Sequence, residues 1–111
     1  MAIRKYRVWN PEMGKMLDWD TVKGMMAELL LTESEINKPM QFTGLLDKAG
    51  KEIYEGDIVE ETGNGNKDKY EIIFEKGEFR FRGKSSFSIR GVFLDLTEVI
   101  GNIYENPKLL D

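Results

Sequence analysis

YEIIFEKGEFRFR, residues 70–82, decides how the chain is read, because its pairing geometry follows from the letters alone. Side chains along a strand point alternately to opposite faces. If Lys76-Gly77 is a two-residue hairpin loop, Glu75 lies opposite Glu78, Phe74 opposite Phe79, Ile72 opposite Phe81 and Glu71 opposite Arg82. One face is then wholly apolar and the other mostly charged. A slip of one residue would turn the phenylalanines to solvent, so the pattern specifies its own register. Lys76 is an imperfect residue for a turn that demands positive φ, which leaves a three-residue loop with a bulge at Gly77 as the alternative.

The same strand periodicity extends in both directions. Downstream, Phe87 and Ile89 continue the alternation, and EVIGNI at 98–103 closes the sheet ahead of Asn106-Pro107, with Val99, Gly101 and Ile103 on one face. A glycine inside a strand marks a bulge, a sharp bend or a close backbone approach. Upstream, Asp47-Lys48-Ala49-Gly50 separates Gln41 to Leu46 from Ile53-Tyr54, and Gly63-Asn64-Gly65-Asn66 separates Ile58-Val59 from Tyr70 to Phe74. Short strands at regular intervals predict a small barrel or sandwich.

Before residue 40 the pattern changes. Ile3 to Trp9 is rich in strand formers, Asn10 to Gly14 reads as a turn, and Met16-Leu17 as a short returning strand. Asp18 or Asp20 then caps a helix whose apolar positions, Val22, Met25, Met26, Leu29 and Leu30, recur at helical spacing. Such a stripe is expected to pack against the barrel or a second copy of the chain. Thr32 to Pro39 is polar and reads as a loop. The fold class expected is mainly β with a small α/β amino-terminal element, α+β overall.

Composition narrows the chemistry. The 111 residues contain neither cysteine nor histidine, so thiolate nucleophiles, disulfides, cysteine-bound zinc and imidazole bases are all excluded. Only carboxylates, lysines and tyrosines remain for acid–base work. Met1 to Asn10 lacks the apolar stretch of an export signal, which points to a cytoplasmic location. The net charge of −4 argues against a protein that coats nucleic acid. The acidity lies in residues 41–111, with ten basic and fourteen acidic side chains against six and six before them.

Each candidate site has a plain structural reading beside it. Glu55 and Asp57 flank Gly56 and resemble a paired carboxylate, yet a turn opening a barrel strand accounts for them without a metal. Asp18 and Asp20 around Trp19 are better explained as helix caps. Gly63 to Lys67 lacks the strand-to-helix setting of a phosphate loop. Trp9, Trp19 and Met25-Met26 are residue types that more often fill cores than bind ligands. Arg80, Arg82, Lys84 and Arg90, interleaved with Tyr70, Phe79, Phe81 and Phe87, form the one basic cluster with aromatics and would suit single-stranded nucleic acid. The hairpin register sets those arginines on the face opposite Phe79 and Phe81. No cofactor motif is present.

MQFTGLLDKAGKEIYEGDIVE at 40–60, EVIGNIYENPKLL at 98–110 and the opening IRKYRVWNPEMGKM together resemble the YopX-like family of phage and prophage proteins. The resemblance implies a bacterial host, a small α/β element over 1–39 and an SH3-like barrel over 40–111, and it carries no catalytic residues across. Thr21 to Pro39 and Glu61 to Lys69 lie outside the stretches that carry the resemblance. The function expected is that of a non-enzymatic accessory protein acting through protein contacts, with itself or with a host or phage protein. The alternative is a nucleic-acid-binding barrel that uses Arg80, Arg82, Lys84 and Arg90. A carboxylate-based, metal-dependent enzyme is a third, weaker reading.

Overall fold

A computed structural model describes residues 5–25, 38–62, 67–83, 86–89 and 96–111. The hairpin that anchors the sequence reading has the pairing expected of it. β6 (Asp68–Glu75) and β7 (Glu78–Arg82) are antiparallel, with Glu71 opposite Arg82, Ile72 opposite Phe81, Phe74 opposite Phe79 and Glu75 opposite Glu78. The loop has two residues, and both Lys76 (φ 55°) and Gly77 (φ 78°) are left-handed, as in a type I′ turn. The three-residue alternative does not form. One expectation is corrected at the tip: Ile72 and Phe81 are fully buried, but Phe79 is only half-buried and Phe74 is 49% exposed. The apolar face continues past the end of the core.

The chain divides into two units, Met1–Phe42 and Thr43–Asp111. In the first, β1 (Tyr6–Asn10) pairs with β2 (Lys15–Leu17) across a turn in which the Asn10 side chain accepts from the Met13 amide, and also with the start of β3 (Lys38–Leu46). Asp18 caps α1 (Trp19–Val22), accepting from the Thr21 amide at 2.9 Å and the Thr21 hydroxyl at 2.7 Å. That single turn passes into a 3-10 turn, Lys23–Met25. Val8 and Val22 are its buried centre, with Tyr6, Leu17 and Trp19 packed around them. Of the expected apolar stripe, Met26, Leu29 and Leu30 lie outside the described residues.

In the second unit, the end of β3 turns through Asp47 to β4 (Glu52–Tyr54). The chain then bends sharply at Glu55-Gly56 into β5 (Asp57–Glu61), where buried Gly56 takes φ 87°. With β8 (Ser86–Ser88) and β9 (Thr97–Asn102), the five-stranded sheet runs in the order β8-β7-β6-β5-β9, and each pairing is antiparallel. β5 therefore lies between its successor in sequence and the last strand, so the meander curls on itself as an SH3-like barrel. Ile53, Val59, Ile72, Phe81, Ile89 and Val99 form the core, with Leu45, Tyr70 and Phe79 at its margin.

The last strand corrects a second expectation. Val59 pairs with Val99 and Ile58 with Gly101, so the ladder shifts between them and Ile100 is the extra residue. Val99 consequently faces the core, whereas Gly101 faces the opposite way, under the closing 3-10 turn Pro107–Leu110. A Cβ at residue 101 would stand 2.6 Å from Asn106 Oδ1 and 2.7 Å from Leu109 Cδ1. Gly101→Ala is expected to displace that turn and cost about 1–3 kcal/mol, the usual penalty for overpacking. Urea denaturation checks this; an unchanged midpoint would show that the turn relaxes freely.

Candidate functional site

The basic cluster singled out in the sequence is only partly described. Lys84 and Arg90 lie outside the described residues, while Arg80 and Arg82 project from the same face of β7. Both are already engaged. Arg80 donates from Nε to the Ser86 hydroxyl at 3.0 Å, from Nη2 to the Ser86 carbonyl at 3.2 Å and from Nη1 to Glu78 at 3.2 Å. Arg82 donates from Nη2 to Glu71 Oε1 at 2.8 Å, and the hydrogen bond and charge of Glu71 hold its guanidinium further toward the charged form. The rings of Phe79 and Phe81 belong to the other face. Among the described residues Tyr70 lines one cleft together with Arg82, whose guanidinium is already bonded to Glu71.

A cleft of about 680 Å³ lies where the start of β6, the end of β7 and the final 3-10 turn meet. Its charged lining is balanced, with Lys67, Lys69 and Arg82 against Asp68, Glu71 and Asp111. Tyr70 on its wall has its phenol pushed up by burial and by the nearby charges of Asp68 and Glu61.

Of the candidate carboxylates, Asp57 braces a turn and Asp18 caps a helix. Asp57 is buried, and its Oδ2 accepts from the Tyr54 amide at 2.8 Å, bracing the Glu55-Gly56 bend. Asp20 and Lys23 form an exposed pair at 3.5 Å, and the Asp18 carboxyl is held low by the Thr21 hydroxyl and then the Thr21 amide. Among the described residues no group of three or more carboxylates is placed to hold a metal ion. Of the Gly63-to-Lys67 loop, only Lys67 is described. Trp19 packs in the small core of its unit, 6.5 Å from the ring of Tyr6.

One important residue was not singled out by the sequence. Asp47 is 6% exposed, and its carboxylate joins two distant parts of the chain: Oδ1 accepts from the amides of Ala49 and Lys51, each at 2.9 Å, and Oδ2 from the amide of Val99, also at 2.9 Å. Burial pushes this carboxyl up, but the three amide donors and the charge of Lys51 outweigh it and hold the group below the ordinary carboxylate value. An Asp followed by Gly three positions on signals a local turn. Nothing in that signal announces the reach to Val99.

Asn102 and Asn106 form a comparable knot after β9. The Asn102 side-chain Oδ1 accepts the Tyr104 and Glu105 amides, and Asn106 Oδ1 accepts the Asn102 amide at 3.2 Å. Side chains of the segments 40–60 and 98–110 thus brace turns of the second unit. The family model of the YopX protein matches residues 5–111. The chain belongs to the YopX family. Two solved structures share its fold: protein EF1440 from Enterococcus faecalis, with 24% identity, full coverage of both chains and a TM-score of 0.72, and protein yopX from Bacillus subtilis, with 23% identity, 96% of this chain and 98% of that one covered, and a TM-score of 0.67. No curated protein matches the chain. In this YopX-family chain no described helix is long and apolar enough to cross a membrane.

Proposed function

We propose that this YopX-family chain is a non-enzymatic accessory protein of a phage or prophage, working in the cytoplasm of a bacterial host through contact with another protein. One observation carries the reading. At the tip of the β6–β7 hairpin, Phe74 is half exposed with its ring edge-on to Phe79 at 5.0 Å, while the arginines of the opposite face are tied to Glu71, Glu78 and Ser86. Exposed aromatic area of this kind favours protein contact, where large rings supply most of the anchoring energy. The absence of His and Cys from the sequence supports the non-enzymatic part.

Fluorescence anisotropy with a single-stranded oligonucleotide at about 0.15 M salt tests the reading against nucleic-acid binding. Weak or no binding is expected, with no difference between wild type and the Arg80→Ala/Arg82→Ala double variant. Protein retained from host lysate by the immobilised chain should survive nuclease treatment. Submicromolar, salt-sensitive binding that the double variant abolishes would put nucleic acid first, because each lost phosphate contact removes about one unit of salt dependence.

A further inference from the structure

Ile58 is fully buried, yet it does not belong to the core cluster around Phe81. Its neighbour Val59 points into that core, so alternation along β5 turns Ile58 to the other face of the sheet, where it lies opposite Gly101 of β9. Gly101 brings no side chain to this face. The segment after β9 lies over it instead, because the Cβ that Gly101 lacks would strike Asn106 and Leu109. A second, small apolar layer thus stands outside the barrel, with Ile58 and Gly101 as its floor and Leu109 above them.

The cover is held lightly. Glu105 to Lys108, Leu110 and Asp111 are exposed, Leu109 is half-buried, and the turn Pro107–Leu110 contains no buried residue. On one flank Leu109 and Leu110 line the cleft of about 680 Å³. Asn106 clasps the segment to the end of β9 by two bonds: its amide donates to the Asn102 carbonyl at 2.9 Å, and its Oδ1 accepts from the Asn102 amide at 3.2 Å. Before that clasp the chain is fixed, since Asn102 is buried and the Ile103 amide donates to the Gly56 carbonyl at 2.9 Å. Few buried contacts behind one polar clasp are the marks of a unit that opens before the whole fold does.

We propose that residues 105–111 form a strap that opens as a unit while the barrel stays folded, releasing the Asn106 clasp and baring the apolar floor of Ile58 and Gly101. Opening changes the surface of the chain without changing its fold, from polar turn residues to an apolar strip across β5 and β9. The inference goes beyond the protein-contact reading and does not rest on it.

The sequence has no cysteine, so a single introduced thiol reports its own access to solvent. Ile58→Cys and Val59→Cys place that thiol on adjacent residues of opposite faces, one under the strap and one in the core. With a maleimide at neutral pH and no denaturant, Ile58→Cys should be labelled at least about tenfold faster than Val59→Cys, and adding Asn106→Ala should speed the first about tenfold again and leave the second unchanged. Hydrogen exchange of the wild type is an independent measurement that needs no variant to fold. The amides of Asn106, Leu109 and Asp111 should exchange through an opening that urea does not promote, whereas those of β5 should await global unfolding. Equal labelling of the two variants, labelling of Ile58→Cys that ignores Asn106→Ala, or strap amides as protected as those of β5 would each overturn the proposal.

Discussion

Phe81→Ala is expected to destabilise the chain by about 3–5 kcal/mol, the range found when a large aromatic is removed from a packed core. Phe81 is fully buried, pairs with Ile72 across the hairpin and lies 5.7 Å from the ring of Tyr70. Its neighbours belong to several strands of the curled sheet, so the space it leaves cannot be closed by moving one of them. Arg82→Ala, one residue on and facing out, is the matching control: an ion pair with the arginine 54% exposed is worth no more than about 1 kcal/mol. Urea denaturation of the two variants should separate them clearly. A loss at Phe81 as small as that at Arg82 would mean that the core is loosely packed.

The second large effect is expected at Asp47. Asp47→Ala leaves the amides of Ala49, Lys51 and Val99 without their acceptor. The two turn amides can turn to water, but that of Val99 is buried, so a loss of about 2–4 kcal/mol follows from one stranded donor and two weakened ones. The folded-state carboxyl is held below its ordinary value, so the unfolded chain binds more protons in acid. Its contribution is therefore complete above the unfolded value of about 3.9 and is lost as pH falls through the lower, folded one. Stability followed from pH 5 downward should drop less steeply in Asp47→Asn than in wild type. Parallel curves for the two would show that Asp47 is not the group being titrated.

Much of the barrel could be read in advance because its signals are local. The register of residues 70–82 follows from a period-two pattern, and Gly101 announced a close approach that Asn106 and Leu109 indeed make. The Glu55-Gly56-Asp57 bend was legible as turn chemistry for the same reason. What escaped depended on distance in sequence or on depth. Asp47 looks like an ordinary turn residue, and its bond to Val99 spans 52 positions. Phe74 alternates correctly, but periodicity gives the face and not where the core stops, so its exposure was missed. Val99 and Gly101 were assigned one face because a bulge at Ile100 leaves no trace in a count of residues. Of the candidate interface, the pairing of Arg82 with Glu71 was legible from register, whereas the hold of Ser86 on Arg80 required the turn of β7 into β8.

The position of β5 between β6 and β9 also sets an order of events during synthesis. Its pairing with β6 forms from neighbouring sequence, but its other edge stays open until Thr97 to Asn102 has been made. At a synthesis rate of about 5–20 residues per second, that interval is on the order of seconds, comparable to the slower end of folding for barrels of high contact order. Throughout it, Ile58 and Val59 stand on an unpaired strand edge, the kind of surface at which chains join wrongly. They are preceded by Asp57 and followed by Glu60 and Glu61. Carboxylates on both sides of a short apolar run act as gatekeepers, repelling a second identical edge until the chain's own last strand arrives.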